Sequence, residues 1–148
     1  REAEELTERM ADEEEGAFAR GLGAVAAAMK APGADLEPID HALHRLRELD
    51  SLWKIGHVQA YAAELELVRS RTDAARERAM EVLEAAESLE RPSLLAIARG
   101  LLAQCDAADG RSEPAGGHLE QTEAGRPRDR LSHRARVVLR RAREVAGR

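Results

Sequence analysis

Apolar side chains recur along this chain at intervals of three and four residues, the spacing of one face of an α-helix. No stretch alternates apolar and polar as a half-buried strand does. The segment 35–49 carries Leu36, Ile39, Leu43, Leu46 and Leu49 at helical spacing. Asp35 stands ahead of it as a cap, and Pro38 falls in its first turn, where a missing amide costs little. Asp50-Ser51 allows a tight turn and a new cap, and beyond it a longer helix over 51–69 turns Leu52, Ile55, Ala62 and Leu65 inward. Asp73 then caps a helix over 73–90 with the stripe Ala75, Ala79, Val82, Leu83, Ala86 and Leu89, ended by Arg91-Pro92. Ser93 opens 93–108, which buries Leu94, Ile97, Ala98, Leu101, Leu102 and Cys105 and closes at Asp109-Gly110.

The two ends of the chain follow the same grammar less clearly. Residues 2–15 form a charged helix with only Leu6 and Met10 as a stripe, and 16–30 a helix with Phe18, Leu22, Val25, Ala26 and Met29 on one face. Gly16, Gly21 and Gly23 weaken the junction, so a break is expected near Gly16. The stretch AADGRSEPAGGHLEQTEAGRP (107–127) has few large apolar residues and at first suggests a linker. Its Ser112 cap, first-turn Pro114 and inward Ala115 and Leu119 instead predict a helix over 112–125. A last helix over 128–146 turns Leu131, Ala135, Val138, Leu139, Ala142 and Val145 inward. Helix starts near 35, 73 and 112 alternate with starts near 51, 93 and 128, steps of 35 to 42 residues typical of helix-hairpin repeats. The expectation is an all-α fold of seven or eight helices in stacked antiparallel hairpins, one domain over 1–148.

The segment 96–127 resembles a tetratricopeptide repeat. Leu102-Ala103 supplies the large-small pair of its first helix, Gly110 the turn, Ala115 the small residue at the crossing, Leu119 the large apolar position and Pro127 the terminator. Arg99 and Asp106 stand where that family has a bulky aromatic, and Thr122 replaces a small apolar residue. A looser match over 52–92 runs through Ala75, Ala79, Leu83, Ala86 and Pro92. The Ala-, Arg- and Glu-rich texture is similar to the helical-repeat regions of bacterial ATP-binding regulators of the LuxR type and of multidomain nucleotide cyclases. The resemblance implies a TPR-like α-solenoid that holds partner proteins, binds an inducer or relays inhibition. No ATP-binding or cyclase motif accompanies it.

Composition narrows the picture. Only Phe18, Trp53 and Tyr61 are aromatic, so the core rests on Leu, Val, Ile and Ala. The single cysteine, Cys105, excludes an internal disulfide framework or a CxxC motif, and a reducing cytoplasm is the default. No apolar run approaches the roughly 20 residues of a membrane span. The chain opens on Arg1, which suggests a segment of a larger protein. Its net charge of −5 is unevenly spread: residues 1–20 carry −5 and residues 126–148 carry +7.

Candidate chemistry is sparse. Glu37, His41 and His44 fall at i, i+4 and i+7 and border an apolar stripe, which reads as a solvated face rather than a metal site. Cys105 reads as a small core residue. No phosphate loop, nucleophile elbow, HExxH or dinucleotide fingerprint occurs, so the chain is expected to be neither an enzyme nor a holder of a cofactor or metal. The residues expected to meet a partner are Trp53, His57, Gln59 and Glu64 on the long helix, with Trp53 either an anchor or a seal between helices 35–49 and 51–69. Arg130, Arg134, Arg141 and Arg143 form an electrostatic surface, to face nucleic acid, an acidic partner or the chain's own segment 2–15. A protein or peptide partner is favoured over a small-molecule effector. Nucleic acid is disfavoured by the lack of neighbouring aromatics, a membrane is not expected, and self-association through the array ends is the further option.

Overall fold

The computed structural model describes residues 1–124 and 131–147, and among them it is all-helical. The elements are α1 (Glu2–Lys30), α2 (Glu37–Glu48), α3 (Leu52–Val68), α4 (Thr72–Ser88), α5 (Pro92–Ala108), α6 (Ser112–Ala124) and α7 (His133–Ala146). Residues 107–124 of the glycine-rich stretch are therefore helix and turn rather than linker; Arg126-Pro127 and the expected helix start at 128 lie outside the described residues.

Helices α3 to α6 begin at residues 52, 72, 92 and 112, a step of 20. One turn design repeats at each join. Asp50 (φ 53°), Ser70 (58°), Glu90 (49°) and Gly110 (73°) lie in the left-handed region. The next amide then donates back into the finished helix: Ser51 to the Leu46 carbonyl (3.0 Å), Arg71 to Glu66 (2.9 Å), Arg91 to Ala86 (3.0 Å) and Arg111 to Asp106 (2.7 Å). These are Schellman closures, which satisfy carbonyls that a helix end leaves open. Two helices and their turns make a unit of 40 residues, longer than the roughly 34 of a tetratricopeptide repeat.

Buried positions keep the same beat. Val58, Ala98 and Val138 occupy equivalent sites in α3, α5 and α7, as do Ala62, Leu102 and Ala142, while Ile39, Ala79 and Leu119 match across α2, α4 and α6. Each helix packs on the next one in the chain, and α1 also touches α3, α3 touches α5 and α5 touches α7. Their close approach uses glycine. A Cβ on Gly56 would lie 2.8 Å from Leu94, one on Gly100 2.8 Å from Val138, and one on Gly21 3.1 Å from Val58. Two buried acids 40 residues apart recur with their bases. Glu66 meets Arg71 (2.6 Å) and Arg78 (3.5 Å); Asp106 meets Arg76 (2.7 Å), Arg111 (3.0 Å) and His118 (3.4 Å). The Glu66 Oε2 contact with Arg71 lacks hydrogen-bond geometry and acts as a bare ion pair.

The expected break near Gly16 is absent: α1 runs unbroken for 29 residues. One helical glycine costs only about 1 kcal/mol, and Ala17, Gly21, Val25 and Ala28 seat the helix beyond it in the core. That buried face lies about one residue from the expected stripe, leaving Ala26 exposed and Met29 68 % exposed. Leu52, expected inward, is also exposed. The expected caps are partly displaced. Asp35 does accept from the Glu37 amide (3.0 Å), but Asp73 lies inside α4, and the Ser51 hydroxyl donates to Glu14 instead of capping α3. Ser132, unremarked in the sequence, caps α7 by accepting from the Ala135 amide (3.2 Å).

Candidate functional site

Trp53, His57, Tyr61 and Glu64 fall at i, i+4, i+8 and i+11 of α3 and so share one face. Most other residues of α3 are buried against α1, α2, α4 and α5, which fixes the direction of that face. Trp53 is 44 % exposed. Its indole tilts against Phe18 of α1, ring centres 5.7 Å apart, and meets the His57 ring edge-on at 4.5 Å. It therefore braces α3 against α1.

Beneath this pair lies an ionic cluster that holds α1 in place. Lys54, almost wholly buried, reaches Glu14 (3.0 Å) and Glu15 (2.5 Å), and its ammonium lies 5.9 Å from the Phe18 ring centre. Burial opposes the Lys54 charge, but the two carboxylates outweigh it and raise the pKa above the ordinary value. Glu14 is held below the usual carboxylate range by hydrogen bonds from Ser51 and Lys54. Arg45 of α2 adds a bridge to Glu13. Burial lowers the His57 pKa, and the Arg134 charge lowers it further, so the imidazole stays neutral at pH 7.

Further along α3 the face receives a side chain from the last helix. The Arg134 guanidinium lies 3.3 Å from the Tyr61 ring centre and donates to Glu64 at 2.8 Å. A partly buried stack of this kind contributes about 1 kcal/mol. Glu64 and Arg134, expected in two separate surfaces, thus form one. Arg141 joins its edge, lining with Glu64, Val68, Gln104 and Val145 a recess of about 190 Å³ between α3, α5 and α7.

The remaining expected residues lie elsewhere. Gln59 is only 1 % exposed and accepts from Arg78 (2.9 Å), so it is a core bracket and not a groove residue. Arg143 is exposed on α7, and Arg130 lies outside the described residues. The expected pairing of the arginine helix with segment 2–15 is not seen among the described residues: Glu13, Glu14 and Glu15 pair with α2 and α3. Tyr61 and Phe18 complete the face and were not expected on it. Tyr61 was readable at four residues from His57, whereas Phe18 was hidden by its place in an apolar stripe.

Glu37, His41 and His44 are exposed, and His44 pairs with Glu48 at 3.5 Å. Cys105 is fully buried, and burial pushes its thiol up to about 11, which removes the thiolate at neutral pH. A cleft of about 940 Å³ opens between the α1–α2 loop and the end of α3, lined by Met29, Asp35, Glu66, Arg69 and Arg78. Its arginines are engaged: Arg69 donates to the Ala34 carbonyl (2.8 Å) and Arg78 to Asp40 (2.9 Å). No helix among the described residues is long and apolar enough to cross a membrane.

No family model, curated protein or solved structure matches the chain.

Proposed function

We propose that this chain is a non-enzymatic helical-repeat scaffold, TPR-like in role, that receives a protein or peptide segment on the α3 face. The observation that carries the reading is the half-exposed Trp53, pinned by Phe18 and His57 beside the Tyr61–Arg134–Glu64 stack. Rigid aromatics and arginine are the side chains most often found as interface anchors, because they bury large area at low entropic cost. Neutral His57 and the paired charges of Arg134 and Glu64 favour a segment that brings an apolar anchor with a polar flank. The reading fits an intracellular regulatory protein of the kind implied by the resemblance to LuxR-type regulators and cyclases.

The test is a peptide-display selection on the full chain, followed by titration of each binder against Trp53 fluorescence. The expected result is a binder weakened about tenfold or more by Trp53→Ala, the cost of losing one anchor, and unaffected by Met80→Ala, an exposed position on α4. Binders indifferent to Trp53 overturn this face as the docking surface.

A further inference from the structure

Aligning α3, α5 and α7 on their 40-residue step places one substitution pattern on a single face. Gly56 and Ala96 are followed by Arg136, Ala60 and Gly100 by Arg140, and Ala63 and Ala103 by Arg143. In α3 and α5 these positions are all buried, and Gly56 and Gly100 are where the next helix comes closest. On α7 all three arginines are exposed. A following helix cannot approach this edge as α5 approaches α3, because guanidinium groups occupy the space that small side chains leave open. The edge instead suits a helix that meets it with carboxylates.

The chain carries such a helix. The first buried residue of α1 is Ala17, and every residue from 2 to 13 is exposed. This overhang holds Glu2, Glu4, Glu5, Glu8 and Asp12 against Arg9, with Leu6 and Met10 each 48 % exposed. Going forward, Arg136, Arg140 and Arg143 are spaced by four and then three residues; going backward, so are Asp12, Glu8 and Glu5. On an antiparallel helix pair the two sets come into register, since both rise 1.5 Å per residue. Val137, 38 % exposed on α7, lies beside the arginines and gives Met10 an apolar neighbour. Within the chain, Glu8, Asp12, Arg136 and Arg140 form no ion pair among the described residues.

We infer that the α7 edge of one copy docks the α1 overhang of a second copy, antiparallel and head to tail. The contact is independent of the α3 face. It pairs unlike charges that exposed salt bridges alone would hold weakly, so the association is salt-sensitive.

Sedimentation equilibrium of the full chain at low and high salt tests it, with two double variants, Arg136→Glu/Arg140→Glu and Glu8→Lys/Asp12→Lys. The wild type is expected to self-associate at low salt and to dissociate at high salt. Each variant alone is expected to be monomeric with unchanged helical circular dichroism. An equimolar mixture of the two restores association, because every junction between unlike copies is again of opposite charge; this recovery also shows that both variants fold. A monomeric wild type at low salt and high protein concentration overturns the inference. So does association that persists in either variant alone, or a mixture that stays monomeric.

Discussion

The two halves of this molecule are held together by different means. Around α1, α2 and α3 the core is built from bulk: Leu36, Ile39, Leu43, Leu46, Ile55 and Leu65, with only three alanines among its eleven buried residues. From α3 onward alanine supplies eleven of nineteen, and the helices close up around Gly56 and Gly100. A core of large side chains is stabilised by area and fails when it is emptied. A core of small ones relies on close backbone approach and fails when it is filled.

The largest expected effect breaks the first half. Leu43→Ala removes a fully buried side chain and should lower stability by about 3–4 kcal/mol, read from urea unfolding. Gly100→Ala probes the second half. The new methyl meets Val138, whose branched side chain has little freedom to yield. Overpacking costs about 1–3 kcal/mol against the roughly 1 kcal/mol that alanine gains in a helix. A net loss of about 1 kcal/mol is expected, and a stabilised variant would show that the α5–α7 contact is not close-packed. The smallest effect has the opposite sign and concerns the turns that both halves share. Glu90→Gly removes the cost of a left-handed non-glycine residue at an exposed helix end. It should stabilise the chain by about 1 kcal/mol, seen as a higher melting temperature; a fall would mean that the Glu90 side chain itself is needed.

Sequence and structure agree best where local chemistry sets the helix. Pro38 and Pro114 each sit in a first turn as expected, whereas Pro92, expected to end the preceding helix, opens α5; the apolar stripes of α2, α4 and α5 emerge largely at their expected phases. Agreement fails where the deciding partner is distant in sequence. Nothing local to Gln59, Lys54, Glu66 or Asp106 announces burial; each is buried because an ion or hydrogen-bond partner arrives from another helix. The same holds at the α3 face. Trp53, His57 and Glu64 were readable as one helical face, but their closest companions, Phe18 and Arg134, come from 35 residues before Trp53 and 70 residues after Glu64. The regular 20-residue beat was blurred because only Gly110 among its four left-handed residues carries the usual signal. Asp50, Ser70 and Glu90 adopt the same conformation without advertising it.

The Tyr61–Arg134 stack has a further consequence. In a linear array each unit touches only its neighbours, so an end can unzip without disturbing the interior. Arg134 bypasses that rule by linking α7 directly to α3, across the helices that separate them in the chain. Opening α7 therefore also breaks contacts made on α3, which ties the terminal helix to the interior of the chain rather than to its sequence neighbours alone.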